Sequence, residues 1–139
     1  MAATTTARKG VSPGSAVTLL AQARTVLAEA AATPEVGERF RLAHLAALRI
    51  AAAVLADRGR PAGVRRRLMS VWLVLDAVAP ELAEWGRYFA AGAPVRAAVE
   101  AGAMNAVSAR DADDQLRSAA QFLRLVEGSL GMPAAPLAS

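Results

Sequence analysis

The sequence contains no cysteine, a single histidine and few aromatic residues: three Phe, two Trp and one Tyr among 139 residues. Without cysteine the chain forms no disulfide, thiolate zinc site or iron–sulfur cluster, and it offers no cysteine nucleophile. The lone histidine, His44, excludes a multi-histidine metal centre, and Arg41 stands where a di-iron bundle requires glutamate. We therefore expect neither a metal nor a cofactor.

Long apolar runs are also absent. The two best candidates are residues 68–79, which include Asp76, and residues 42–56, which include His44 and Arg49. A bilayer-spanning helix needs about 18–20 consecutive apolar residues, so neither segment qualifies. The opening residues MAATTTARKGVSPGS are polar and lack the apolar core of a secretory signal. We expect no membrane association and a cytoplasmic location.

Alanine makes up about a quarter of the sequence, and the chain has no period-two runs of the β-branched residues typical of strands. Apolar residues recur instead at three- and four-residue steps, the spacing of one face of a helix. This pattern predicts an all-α fold, an antiparallel bundle of about five helices, over residues 15–130. Residues 1–14 and 131–139 lack such periodicity, and we expect a disordered arm and a disordered tail there.

Capping residues place the first two helices. The first is predicted from Ser15 to near Thr33. For the second, Thr33 is the expected N-cap and Pro34 the first helical residue, and the helix continues to about Arg58. Because this second helix is apolar almost all round from Leu42 onward, it should be the most deeply buried.

Prolines and glycines divide the second half of the chain. A third helix is predicted to begin around Gly63 and to continue to the segment that Pro80 interrupts, where a further helical segment starts. Residues 94–101 read as one short helix. Ser108, followed three residues later by Asp111, resembles a capping box for a last helix that extends to about Leu130.

Positive charge is concentrated in one connection between helices. Residues 57–67, DRGRPAGVRRR, contain five arginines and one aspartate, a net charge of +4, whereas the rest of the chain has eleven basic and eleven acidic residues. The arginines of this segment are the candidate phosphate- or nucleic-acid-binding residues: Arg58, Arg60, Arg65, Arg66 and Arg67.

Two interpretations of these arginines remain open. Arg58 and Arg60 suit the C-terminal end of a helix dipole, but Arg65–Arg67 fall in the expected first turn of the third helix, where the dipole disfavours cations. A phosphate at such a helix start would receive backbone N–H groups and forked arginine contacts. Alternatively, the arginines pair with carboxylates at the start of the last helix, within the bundle or across a dimer: Asp111, Asp113 and Asp114.

His44 and the aromatic residues are predicted in the first place to be residues of the hydrophobic core. The histidine lies on the second helix, one turn after Phe40 and one turn before Leu48. With an ordinary pKa near 6.5, it is also the residue of this chain best suited to proton transfer. The aromatic residues fall at helical spacing and are expected to pack in the interior, with the Tyr88 hydroxyl reaching solvent: Trp72, Trp85, Tyr88 and Phe89.

The stretches RFRLAHLAALRIAAAVLADRGRP and LMSVWLVLDAVAPELAEWGRYFAAGAPVRAAVEAG resemble an actinobacterial branch of the HEPN (higher eukaryotes and prokaryotes nucleotide-binding) superfamily. The resemblance implies a bundle of four or five helices, commonly dimeric. It also implies a connection with RNA, because many HEPN domains resemble metal-independent ribonucleases.

The catalytic motif of that superfamily is an arginine followed four to six residues later by a histidine, near the start of the last long helix. Arg110 occupies the equivalent place here, but no histidine follows it. Arg39 and His44 have the spacing on the second helix, yet five residues at about 100° each separate their side chains by about 140°. Arg41, three residues before His44, is a true neighbour at the wrong spacing.

We therefore expect a HEPN-like binding module without intrinsic catalysis, which engages RNA or another phosphate ligand through arginines 58–67. One alternative is a protein-interaction or dimeric assembly subunit with no nucleic-acid role. The other is a HEPN-type ribonuclease that uses Arg41 or Arg39 with His44.

Overall fold

The computed structural model describes residues 15–59 and 70–132, and all the regular structure in these two segments is helical. The described residues form six α-helices, with one 3₁₀ turn before the fourth and one before the last. In chain order the elements are α1 (Ala16–Ala32), α2 (Val36–Arg58), α3 (Val71–Val78), the turn Pro80–Leu82, α4 (Ala83–Ala91), α5 (Ala93–Glu100), the turn Met104–Ala106 and α6 (Ala109–Ser129). The predicted all-α bundle is confirmed.

Serine side chains begin three of these helices. The Oγ of Ser15 accepts the backbone N–H of Thr18 at 3.1 Å, and the Oγ of Ser108 accepts that of Asp111 at 3.0 Å. Each bond satisfies one of the amide groups that a helix leaves without a partner at its start. The predicted beginnings of α1 and α6 are therefore confirmed, as is the short helix near residues 94–101.

The predicted start of α2 was wrong by two residues. Glu35, and not Thr33, is the N-cap: its two carboxylate oxygens accept the backbone N–H groups of Gly37 at 3.0 Å and of Glu38 at 2.7 Å. Thr33 instead ends α1, because its hydroxyl donates to the Glu29 carbonyl at 2.6 Å. The two carboxylate oxygens of Glu35 each satisfy one of the free amides at the start of α2, while the Thr33 hydroxyl is engaged at the end of α1.

The predicted start of the third helix was also wrong. Ser70 has an extended backbone, and its hydroxyl accepts the N–H of Leu73 at 3.2 Å, so α3 begins at Val71 rather than near Gly63. Arg65–Arg67 therefore do not occupy the first turn of α3, and the dipole argument does not apply to them there. Residues 60–69 lie outside the described residues, as do the predicted arm (1–14) and the tail from residue 133.

Helix α2 forms the centre of the bundle and makes its most extensive contacts with α1 and α6. It contributes more buried residues than any other helix described, as predicted. Many of the fully buried side chains are alanines, which allow neighbouring backbones to come close. On α1 and α2 the alanines with no exposed surface are Ala23, Ala30, Ala43, Ala46, Ala47, Ala51 and Ala53.

Phe89 of α4 lies at the centre of an aromatic cluster and is completely buried. Its ring centroid is 5.6 Å from that of Trp72 on α3, 5.3 Å from that of Phe122 on α6 and 6.3 Å from that of Trp85 on its own helix. Trp72 is buried and Trp85 is partly buried. Tyr88 is 41% exposed, so it lies at the surface and not in the core, where its helical spacing had placed it with the other aromatic residues.

An ion pair joins the first and last helices inside the protein. The guanidinium of Arg24 on α1 donates to the carboxylate of Glu127 on α6 at 2.5 Å. Glu127 is almost fully buried, whereas Arg24 keeps about a quarter of its side chain exposed. The pair therefore brings a charged carboxylate into the interior with its counter-ion beside it.

Candidate functional site

Of the five arginines predicted to bind phosphate, the structure describes Arg58 alone. Its guanidinium contacts the Glu81 carboxylate at 2.5 Å, between the end of α2 and the turn before α4. Hydrogen bonding to this carboxylate raises the pKa of Arg58 above its ordinary value, and the same bond lowers the pKa of Glu81. Arg58 thus has a counter-ion on its own chain, while Arg60 and Arg65–Arg67 lie outside the described residues.

Two of the three aspartates proposed as partners for these arginines are paired elsewhere. Asp113 accepts a hydrogen bond from Arg39 at 2.6 Å, and Asp114 accepts one from Arg117 at 2.5 Å. For Asp111, the structure shows no ion pair within the part of the chain that it describes. Asp113 and Asp114 thus already have arginine partners on their own chain, and Asp111 is the member of the three without an ion pair among the described residues.

The charge of the chain is unevenly divided between the helices and the segments around them. The described residues contain ten basic and twelve acidic side chains, a net charge of −2. Residues 60–69 contain four arginines and no acidic residue. The positive net charge of the protein therefore comes from segments outside the described residues, which are themselves slightly acidic.

His44 lies in the core, with only 1% of its surface exposed. Its Nε2 is 2.9 Å from the backbone carbonyl of Phe89, so the neutral ring places its proton on Nε2 and donates to that oxygen. The ring lies beside those of Phe40 and Trp72. Burial lowers the pKa of His44 below its ordinary value, and the positive charge of Arg96 adds to the effect.

The two arginines considered with His44 are engaged elsewhere. Arg39 donates to the backbone carbonyls of Thr33 and Pro34 as well as to Asp113, and Arg41 makes two hydrogen bonds to Glu38, at 2.9 and 2.7 Å. These two bonds raise the pKa of Arg41 and lower that of Glu38. Within the described segments neither arginine is hydrogen-bonded to His44, so the structure does not assemble the three into one site.

A buried neutral histidine makes stability depend on pH in a known direction. The unfolded chain binds the His44 proton near pH 6.5, whereas the folded protein binds it only at lower pH, so stability falls as the pH falls below about 6.5. Between about pH 7.5 and 5.5 we expect a loss of about 1 kcal/mol in urea unfolding. His44→Gln keeps a donor for the Phe89 carbonyl but does not titrate, and it should remove this loss.

Glu38 and Glu81, whose pKa values are lowered from the ordinary carboxyl value, lose their contribution to stability only in solutions more acidic than this interval. An equal loss in wild type and in His44→Gln would show that His44 is not the residue responsible.

A cleft of about 300 Å³ is the feature that the sequence did not predict. It lies where the junction of α4 and α5 meets the start of α6, and its lining includes Tyr88, Asp111, Asp114 and Gln115. The i, i+4 spacing of Asp111 and Gln115 on one helix face is the only local signal of it in the sequence. Among the described residues, no group of three or more acidic or histidine side chains is arranged to hold a metal ion.

None of the described helices combines the length and the sustained apolar character that a bilayer crossing requires. No curated protein and no solved structure matches this chain. The family model of the SAV_6107-like HEPN domain matches residues 28–127, from the second half of α1 to near the end of α6. Because this match covers well over half of the sequence and all six described helices fall within or overlap it, the chain belongs to the SAV_6107-like HEPN family.

Proposed function

We propose that this HEPN domain is a non-catalytic module that binds RNA through the arginines of residues 60–67. The main support for the proposal is the distribution of charge: the described residues have a net charge of −2, while residues 60–69 contain four arginines and no carboxylate. Guanidinium groups close together in sequence bind phosphates well, because each offers a fork of N–H donors.

Arg58 is left out of the proposed contact surface because it is paired with Glu81. The assembly alternative has weaker support, since Asp113 and Asp114 already have arginine partners and only Asp111 remains for it.

The absence of catalysis is supported by the position of His44. A general base must come within hydrogen-bond distance of the hydroxyl that it deprotonates. The Nε2 of His44 is occupied by the Phe89 carbonyl, and the ring is almost inaccessible to solvent. Arg39 and Arg41, which would have to stabilise the transition state, are each held by a carboxylate.

The test is the salt dependence of binding to a labelled single-stranded RNA, measured by fluorescence anisotropy. Each neutralised phosphate of a single strand contributes about −0.7 to the slope of log affinity against log salt, so four arginines predict a slope of about −3. Changing Arg65, Arg66 and Arg67 together to alanine should reduce the slope to about −1 and weaken binding strongly at low salt.

A matched control variant removes three positive charges from a different part of the protein surface. Arg87, Arg110 and Arg124 are exposed on α4 and α6 and have no ion pair within the described residues, so their triple alanine variant should keep the wild-type slope. Equal losses in the two triple variants would mean that net charge alone drives binding, and no loss in either would remove the RNA proposal. Cleavage of the RNA by wild type but not by His44→Gln would contradict the non-catalytic part.

A further inference from the structure

The outer face of α1 is almost free of charge. Its exposed positions are alanine, valine, threonine and glutamine, with Glu29 as the one charged exception. The hydroxyl of Thr25, near the middle of the face, already donates to the Ala21 carbonyl at 3.2 Å. Charged and polar residues usually cover the outer face of a surface helix, because this face meets water. An uncharged outer face is instead typical of a helix that packs against another molecule.

A groove of about 430 Å³ follows this face between α1 and α2. The helix α1 contributes Thr18, Gln22 and Thr25 to its lining, and α2 contributes the partly buried Arg49. Arg49 is the one charged residue of the lining that the structure describes. A single guanidinium therefore faces an otherwise neutral groove.

Arg49 has no ion pair among the described residues, which include every acidic side chain of the sequence. The other arginines of α2, Arg39, Arg41 and Arg58, each contact a carboxylate. No acidic residue lies three or four positions from Arg49 on its own helix, where a side-chain pair would form. A partly buried charge without a counter-ion is unfavourable, and a carboxylate from a second molecule would compensate it.

Glu29 is the complementary charge at the other end of the face. It is exposed, lies one turn after Thr25 and has no ion pair within the described segments. Arg41 of α2 is within its electrostatic range, but this guanidinium makes both of its hydrogen bonds to Glu38. Because Arg41 and Arg49 are eight residues apart on α2, Glu29 and Arg49 are separated by about 12 Å along the helix axis.

We infer that the outer face of α1 binds a second copy of this chain, with the two α1 helices antiparallel about a two-fold axis beside Thr25. Arg49 is level with Gln22, and Glu29 lies seven residues farther along α1, so the midpoint between the two charges is close to Thr25. A two-fold axis at this point brings Arg49 to Glu29 of the partner subunit and forms the same contact twice. Parallel helices would place Arg49 beside Gln22 of the partner subunit and leave both charges unpaired.

The small side chains of this face suit such packing, because they allow two helix axes to approach to about 8 Å. From Thr18 to Ala32 the face is about 21 Å long, so the interface is small and the dimer should dissociate on dilution. It involves neither the arginines of residues 60–67 nor the aspartates at the start of α6, and it does not depend on RNA binding.

Sedimentation velocity at increasing protein concentration tests the inference. We expect the wild type to change from monomer to dimer, and the change to require a higher concentration in Arg49→Glu and in Glu29→Arg. Each reversal places like charges opposite each other at two symmetric positions, and it should weaken the dimer about tenfold or more. Arg49→Gln removes the charge without adding repulsion and should weaken the dimer less.

A mixture of the two charge-reversal variants gives the decisive measurement. When one subunit carries Arg49→Glu and the other carries Glu29→Arg, both contacts again join opposite charges. The mixed dimer should therefore form about as tightly as the wild-type dimer, although neither variant associates well with itself. Labelling one variant with a fluorophore and adding an excess of the other measures the mixed dimer, and its formation shows that both variants are folded.

Arg87→Glu is the matched control, because it reverses an exposed charge on α4 rather than beside α1. It should dimerise as the wild type does. A protein that stays monomeric at every concentration, a dimer that neither reversal weakens, or a mixture that associates no better than either variant alone would overturn the inference. RNA binding is tested with a different set of variants, so either proposal can fail without the other.

Discussion

Phe89→Ala is expected to lower the free energy of unfolding by about 3–5 kcal/mol, the usual cost of removing a buried phenyl ring. Phe89 is completely buried, and its ring contacts aromatic rings on α3, on its own helix and on α6. A small domain has only about 5–15 kcal/mol of stability, so the variant loses about a fifth of it or more. Urea unfolding followed by circular dichroism measures the change.

Two control variants distinguish the loss of the Phe89 ring from smaller changes at this position and beside it. Phe89→Leu retains most of the apolar volume and should cost less than about 1.5 kcal/mol. Tyr88→Ala, at the adjacent exposed position, should cost less than about 1 kcal/mol. Because the backbone carbonyl of Phe89 accepts from His44 in every variant, the hydrogen bond is unchanged. A loss below about 1 kcal/mol for Phe89→Ala would contradict its central position in the core.

Arg24→Met is expected to destabilise the protein by about 3 kcal/mol. The substitution keeps much of the apolar stem of the side chain but leaves the buried Glu127 carboxylate without the guanidinium that contacts it. A charge transferred into a protein interior loses its hydration, and the loss is compensated only while a counter-ion stays beside it. The change should appear as a lower urea midpoint with an unchanged slope.

The double variant Arg24→Met, Glu127→Met distinguishes the effect of an unpaired buried charge from the effect of lost packing. With both charges gone, the desolvation cost disappears, and stability should return to within about 1 kcal/mol of wild type or exceed it. Arg117→Met is the exposed counterpart, because it removes the pair with Asp114 at the surface, and it should change stability by less than about 1 kcal/mol. A double variant as unstable as Arg24→Met would show that the loss comes from packing rather than from an unpaired charge.

Local signals in the sequence predicted most of the fold. Ser15 and Ser108 marked helix starts because their side chains cap the nearest free amides, and such bonds involve residues only three apart. The lone histidine was predicted to be core from the apolar residues one turn away on either side, and it is buried. These successes share one property: the deciding interaction lies within one or two helical turns.

Errors arose where two neighbouring residues competed for one role. Thr33 and Glu35 can each cap α2, and Thr33 is excluded only because its hydroxyl is engaged by the end of α1. Ser70 is the N-cap of α3, whereas the sequence prediction places the start of this helix near Gly63. For α2 the choice depends on where α1 ends, which local propensity does not determine.

Long-range features had no sequence signal. The Arg24–Glu127 pair joins residues 103 positions apart, and no periodicity relates them. The candidate cleft is similar, since its walls come from α2, from the α4–α5 junction and from α6. The i, i+4 spacing of Asp111 and Gln115 indicates a cleft only in combination with the positions of those other elements, which the sequence does not give.

The abundance of buried alanine on α1 and α2 has a thermodynamic consequence. Alanine has no rotatable side-chain torsion, so ordering it on folding costs no rotamer entropy, whereas a buried leucine or isoleucine loses about 0.5–1 kcal/mol in this way. Each alanine buries little apolar surface, but nearly all of the stabilisation from that burial is retained, because no loss of rotamer entropy opposes it. At the positions where these alanines pack, the close approach of the two helices is therefore ordered by the backbone itself, and the alanine side chains have no alternative rotamers to adopt.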